Sequence, residues 1–189
     1  MRKAFNLMKV LIVIVLLAVV AIAVVKRMFP IRHSGIITRY AREYELNEPL
    51  VYSVIFTESK FVGKAVSEKG ASGLMQLTKM TADWGNEELA IENYDYAKIF
   101  DPDINIRLGC WYLNKLISQY GNTDTALAAY NAGSGNVSKW LADSNCSKDG
   151  KTLYNIPFKE TEQYVERARR NMQIYCVLLK INEYVKLGE

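Results

Sequence analysis

Carboxylates are the side chains best placed to do chemistry in this sequence. It holds one histidine, His33, and three cysteines, Cys110, Cys146 and Cys176, with no CxxC pair. That pattern excludes a conventional zinc site and a Ser-His or Cys-His nucleophile in a folded domain. Twenty acidic residues remain. A carboxyl group serves as general acid and base, the chemistry by which glycosidic bonds are cut. Most of the acids read as solvated surface charges: Glu45 and Glu48 flank a turn, Glu87 and Glu88 fall in a loop, and Glu162 and Glu166 share one face of a helix. Glu58 differs. It follows Val54-Ile55-Phe56 and precedes Phe61, at the end of an apolar helix beside a stretch, VGKAVSEKGASG, with three glycines. Apolar surroundings disfavour the charged carboxylate and raise its pKa, which suits a general acid at neutral pH. The same position also fits a helix-end glutamate paired with Lys60 or Lys64. On pattern alone the two readings stand level.

The elements that must position Glu58 are helices. Ser34 is expected to cap a helix carrying Ile36, Ile37, Tyr40, Ala41 and Tyr44 at one-face spacing. Asn47, with Pro49 just inside, opens a second helix that ends near Glu58. The glycine-rich stretch breaks the period and reads as an irregular loop or one small hairpin. Thr78 caps a short helix through Trp84, stopped by Gly85. Asp101-Pro102 opens a long helix closed by Gly121. Thr123 starts another, ended by Gly133, and Asn136 caps a short one through Leu141. Residues 142–155 are a polar loop, and Pro157 leads into a last helix over about 160–186. The fold class is therefore all-α with at most one small hairpin, and the cysteines read as small buried helical residues.

Residues 10–25, VLIVIVLLAVVAIAVV, form an unbroken apolar run between Lys9 and Lys26-Arg27. Five of the 24 basic residues precede Ile31 with no acid among them, leaving 19 basic against 20 acidic beyond it. The net charge of +4 thus belongs to the leader, and a near-neutral domain argues against a nucleic-acid partner. Sixteen apolar residues make a helix of about 24 Å, short of a hydrocarbon core of about 30 Å. Leu7, Met8, Met28 and Phe29 extend it, and the flanking basic side chains reach for headgroups. Ala21-Ile22-Ala23 has the small-x-small form of a signal-peptide cleavage site but lies inside the run, so an uncleaved anchor fits better than a cleaved signal. The division expected is a cytoplasmic stub and membrane anchor over 1–30 and a folded domain over 31–189. Arg2, Lys3 and Lys9 mark the cytoplasmic end, with the domain on the extracytoplasmic side of the cell membrane. His33 is a juxtamembrane spacer.

Four blocks occur in order: ESKF at 58–61, AVSEKGASGLMQL at 65–77, AAYNAGSGNV at 128–137 and PFKETEQYV at 157–165. Together they resemble the soluble lytic transglycosylase family. The resemblance implies a lysozyme-like α fold with a groove for peptidoglycan glycan strands, no cofactor and no metal. It implies Glu58 as the single catalytic acid and base, forming 1,6-anhydro-muramic ends. It also implies substrate contacts from Ser67, Gly73, Gln76, Tyr130, Asn131, Glu160 and Tyr164, with Gly70 and Gly73 as loop glycines and the Tyr130 phenol as a donor to the acid. For Glu160 an N-terminal role on the last helix stands beside substrate contact. One departure is visible: the family continues GLMQ with a hydrophobic residue and Met-Pro, whereas here Leu77 is followed by Thr78-Lys79. A goose-type lysozyme, using water, and a non-catalytic glycan binder are the rival readings.

Overall fold

The computed structural model describes residues 2–187, with side chains described for 8–184. Arg2, Lys3, Leu7 and Lys186, to which the sequence assigns parts, have side chains outside the described residues. Two compact units are present, Met1–Arg32 and His33–Glu189. The first is helix α1 (Arg2–Met28), ending in Lys26 and Arg27. Its segment Met8–Met28 is long and apolar enough to cross a membrane, with a mean hydropathy of 3.2 and no part of it buried.

The second unit is helical throughout: α2 (Ser34–Glu43), α3 (Glu48–Ser59), α4 (Lys79–Leu89), a 3₁₀ turn (Tyr96–Phe100), α5 (Pro102–Tyr120), α6 (Thr123–Ala132), α7 (Ser134–Ala142) and α8 (Lys159–Leu187). Among the described residues there is no strand. Of the two forms expected near residue 70, the irregular loop is the one present, with two isolated bridges, Val66 with Ser72 and Ser72 with Leu77.

Helix α3 is the centre of the core. Its sequence is apolar around most of its circumference, so every face must be covered. Leu50, Val51, Tyr52, Val54 and Ile55 are at most 3% exposed. Its chief partner is α8, where Tyr175 stacks on Tyr52 with ring centroids 5.1 Å apart and meets Phe56 and Phe61 edge-on.

Several termini fall where the sequence puts them. Thr78 accepts from the Thr81 amide at the start of α4, and Asp101 accepts from Asp103 and Ile104 at the start of α5. Others do not. Ser34 is the first helical residue of α2, and His33 stands at the cap in a left-handed conformation (φ 55°) without a side-chain cap bond. Asn47, by contrast, does stand at the cap of α3 with Pro49 just inside, as expected, though without a side-chain cap bond. Asn136 lies inside α7, where its Nδ2 donates back to the Ala132 carbonyl. Gly85 does not stop α4. It is buried within it, and a Cβ there would come within 2.7 Å of Leu108 and 3.0 Å of Trp111. Its role is close approach of α4 to α5, not punctuation.

Candidate active site

Helix α3 ends because two consecutive residues, Lys60 (φ 51°) and Phe61 (φ 63°), turn left-handed. Ser59, in the last turn, shares its hydroxyl between the Ile55 carbonyl (3.1 Å) and the Leu74 carbonyl (2.7 Å), tying the helix end to the loop that follows. Glu58 therefore projects from a fixed turn. Among the described residues it forms no salt bridge, so the expected alternative of a pairing with Lys60 or Lys64 is absent.

The loop 65–77 is held from beneath by one residue the sequence reading missed. Asn105, on α5 and fully buried, accepts from the Met75 amide (2.7 Å) and donates to the Ser72 (3.1 Å) and Ile99 (2.8 Å) carbonyls. A buried amide with all these bonds closed fixes a loop that lacks a β-ladder. Gly73 (φ 82°) lies directly on it: a Cβ would stand 2.2 Å from Asn105 Nδ2 and 2.8 Å from the Ile99 carbonyl. Glycine is thus required under the cleft wall, and Gly73 is not among the cleft-lining residues. The only sequence signal for Asn105 is a polar residue inside an apolar helical stripe.

Above this loop is an open cleft of about 410 Å³, lined by Glu58, Ser67, Gln76, Tyr130, Asn131 and Glu160 among others. Six of the eight expected site residues thus share one cavity. The seventh, Tyr164, is 3% exposed beneath it, on the α8 face turned to Glu58. The cleft also takes in Glu68, Lys69, Ala71 and Thr78. Thr78, which stands where the resemblance implies Met, joins the wall and caps α4 with its own side chain. Lys69 and Glu160 face each other across the rim at 3.9 Å, both largely in solvent. That loose pair is worth little energetically.

The polar groups have defined orientations. Gln76, in a left-handed conformation (φ 49°), donates both amide hydrogens to backbone, to Ala65 (3.0 Å) and Gly73 (2.8 Å). Its Oε1 is left as an acceptor. Asn131 Oδ1 accepts from the Thr161 hydroxyl at 2.8 Å, leaving its Nδ2 as a donor. Ser67 Oγ accepts from the Ala71 amide at 3.0 Å. Tyr130 does not donate to the acid: its hydroxyl bonds the Met75 carbonyl at 2.8 Å, and its ring packs on Tyr112 at 5.3 Å.

Glu58 is half-buried, and burial pushes its pKa from 4.5 to about 7. The Tyr164 hydroxyl and the Arg167 guanidinium pull the other way, favouring the carboxylate. Tyr164 closes no hydrogen bond of standard geometry, so its influence comes from proximity. Burial, with Glu58 nearby, holds both the Tyr130 and Tyr164 phenols well above their ordinary pKa and therefore neutral. Among the described residues no His, Cys, Asp and Glu cluster of metal-binding form occurs.

Residues 35–153 match the family described as transglycosylase SLT domain. A soluble lytic murein transglycosylase of Salmonella typhimurium is 35% identical over 143 residues, which are 74% of this chain and 22% of that protein. Among solved structures, an inactive mutant of the lytic transglycosylase Slt from Pseudomonas aeruginosa is 36% identical with a TM-score of 0.72, over 80% of this chain and 25% of that one. The 70 kDa soluble lytic transglycosylase of Escherichia coli superposes with a TM-score of 0.73 at 29% identity, over 82% of this chain and 26% of its own. The chain thus spans about a quarter of the length of the relatives it matches.

Proposed function

We propose, from the premise that this chain belongs to the transglycosylase SLT domain family, that it cleaves peptidoglycan glycan strands as a lytic transglycosylase, with Glu58 as its only acid and base. The observation that carries this reading is the placement of Glu58: a half-buried carboxyl, its pKa raised by burial to about 7, in a cleft it shares with the neutral hydrogen-bonding side chains of Ser67, Gln76, Thr78, Tyr130 and Asn131 as well as with Glu68, Lys69 and Glu160. Such a group is protonated often enough to act as an acid and ionised often enough to act as a base.

In this reading Glu58 gives its proton to the oxygen joining N-acetylmuramic acid to N-acetylglucosamine. The muramyl acetamido oxygen attacks the anomeric carbon as that bond breaks. The Glu58 carboxylate then takes the proton of the C6 hydroxyl, whose oxygen closes onto the same carbon as a 1,6-anhydro ring while the bond from that carbon to the acetamido oxygen breaks and the acetamide re-forms. The proton is returned to Glu58, no water is consumed, and no second carboxylate is needed. Asn131 Nδ2 is suited to donate to an acetamido carbonyl, and Gln76 Oε1 to accept from a sugar hydroxyl or N–H. Ser67 lines the same cleft, and Glu160 at its rim is suited to a polar substituent.

The segment Met8–Met28 supports a further part of the proposal, that the domain is held at the outer face of the cytoplasmic membrane. Extraction that requires detergent, with the domain accessible to protease from outside, is the expected behaviour.

The deciding measurement is the mass of fragments released from purified peptidoglycan by the full chain in detergent. Anhydro-muramic ends, lighter than reducing ends by one water, are expected, and Glu58→Gln should release nothing. Reducing ends would make it a hydrolase of the goose-lysozyme type. No release by the unmodified chain would make it a glycan binder.

A further inference from the structure

Helix α8 carries a stripe of side chains that follows α3 to its end. Tyr175 stacks on Tyr52, and Asn171 Nδ2 donates to Thr57 Oγ1 at 2.9 Å. Tyr164 lies buried beside Glu58, and Glu160 reaches the cleft rim. Positions 160, 164, 167, 171 and 175 are spaced by three and four, so all lie on one helical face. Arg167 occupies the step between Tyr164 and Asn171, level with the Thr57–Glu58 turn. Arg167 is exposed. Its neighbours are already engaged, Arg169 with Asp124 and Arg170 with Glu166, while Arg167 has no salt bridge among the described residues.

We propose that Arg167 is a positioning residue for the acid: its guanidinium, carried by the α8 stripe to the level of the α3 end, stabilises the carboxylate that Glu58 becomes once it has given up its proton. The inference rests on the transglycosylase reading and deepens it. A lone carboxyl that acts first as acid and then as base must pass through an anion, and a half-buried anion without a counter-charge is costly. Most groups around Glu58 offer no compensation. From α6 it faces Tyr130, whose hydroxyl is committed to Met75. From the loop it faces Glu68 and Lys69, and Lys69 is turned to Glu160 at the rim. From α8 it faces the neutral Tyr164 and then Arg167. Among the described residues, Arg167 is therefore a cation on these elements that has no salt bridge and stands at the level of the Thr57–Glu58 turn. Its effect on Glu58 is in the expected direction, favouring the ionised form against the larger effect of burial.

The test is the pH dependence of kcat/KM on purified glycan strands for the full chain, Arg167→Gln and Arg167→Lys. The acid must be protonated in the free enzyme, so activity falls as pH rises through its pKa. Removing the cation raises that pKa, and the alkaline limb moves to higher pH. In Arg167→Gln the ratio of alkaline to near-neutral kcat/KM should rise by about threefold, the change made by about half a pH unit on that limb. Turnover at neutral pH should fall, because the intermediate carboxylate has lost its counter-charge. Arg167→Lys should restore the parent profile. An unmoved alkaline limb in Arg167→Gln, or a lysine variant that behaves like glutamine, overturns the inference. Loss of activity with an unmoved profile would mean that Arg167 is only structural, and would overturn it equally. Failure of the underlying reading looks different: the unmodified chain would then release reducing ends or nothing, or Glu58→Gln would retain activity, whatever Arg167 does.

Discussion

The Tyr130 hydroxyl donates to the Met75 carbonyl at 2.8 Å, binding α6 to the loop that forms the far wall of the cleft. The phenol is thus spent on the wall, although it shares the cleft with the acid. Tyr130→Phe should cost about 1 kcal/mol of stability, the usual net worth of one such bond, plus part of the penalty for an unpaired carbonyl. Turnover should fall several-fold without being abolished, since the acid keeps its proton and only the wall loosens. Chemical denaturation and initial rates on peptidoglycan check both. Complete inactivation of a well-folded Tyr130→Phe variant would show that the phenol acts directly on the substrate.

Asn105 and Gly73 form a second coupled pair. Asn105→Ala leaves the Met75 amide and two carbonyls without partners in a dry site, and should cost about 3 kcal/mol. Gly73→Ala places a methyl group 2.2 Å from Asn105 and 2.8 Å from the Ile99 carbonyl at positive φ, and should cost about 2 kcal/mol or more. In the double variant the clash with Asn105 is gone, while the strain at φ 82° and the Ile99 contact persist. The two losses should therefore sum to more than the double variant shows, by about 1 kcal/mol. Strict additivity in a double-mutant cycle would mean that the contact relaxes at no cost.

Gly85 gives a test in which helix propensity and packing have opposite signs. Propensity alone favours Gly85→Ala by about 1 kcal/mol inside a helix. The added Cβ would press on Leu108 at 2.7 Å and the Trp111 ring at 3.0 Å, and overpacking of that kind costs about 1–3 kcal/mol. Packing should win, and the melting temperature should fall. A rise would show that α4 can shift away from α5 freely.

That glycine also marks what the sequence makes legible. Helical phase, Pro and Gly positions and the Asp101 and Thr78 caps locate most elements, because each acts within a few residues. Glu58 is legible for the same reason: its apolar run and the loop beside it are local. The bonds that fix the cleft are not. Asn105 reaches loop carbonyls and an amide up to 33 residues away, Thr161 holds Asn131 across 30, and Tyr130 holds Met75 across 55. Nothing in the local pattern distinguishes a glycine that ends a helix from Gly85, which lets another helix approach. Arg167 likewise reads as one charge among several on α8 until α3 is packed against it.

The acid itself should leave a signature in stability. Glu58 has a folded-state pKa raised from 4.5 to about 7, so between those values the folded chain holds a proton that the unfolded chain has released. Its contribution is fully present below the lower value and is lost as pH rises through the upper one. Above neutral pH the folded protein must carry a half-buried carboxylate, which costs on the order of 2 kcal/mol after allowance for the cleft's open side. Glu58→Gln keeps the shape and removes the charge. Its stability should match the parent at about pH 4 and exceed it by that amount at about pH 8. Other titrating groups are common to both chains and cancel in the comparison. Urea unfolding of the two proteins across this range measures the difference. Parallel curves would mean that Glu58 ionises as it does in water, and an acid of that kind would be mostly deprotonated at neutral pH and poorly suited to begin the reaction.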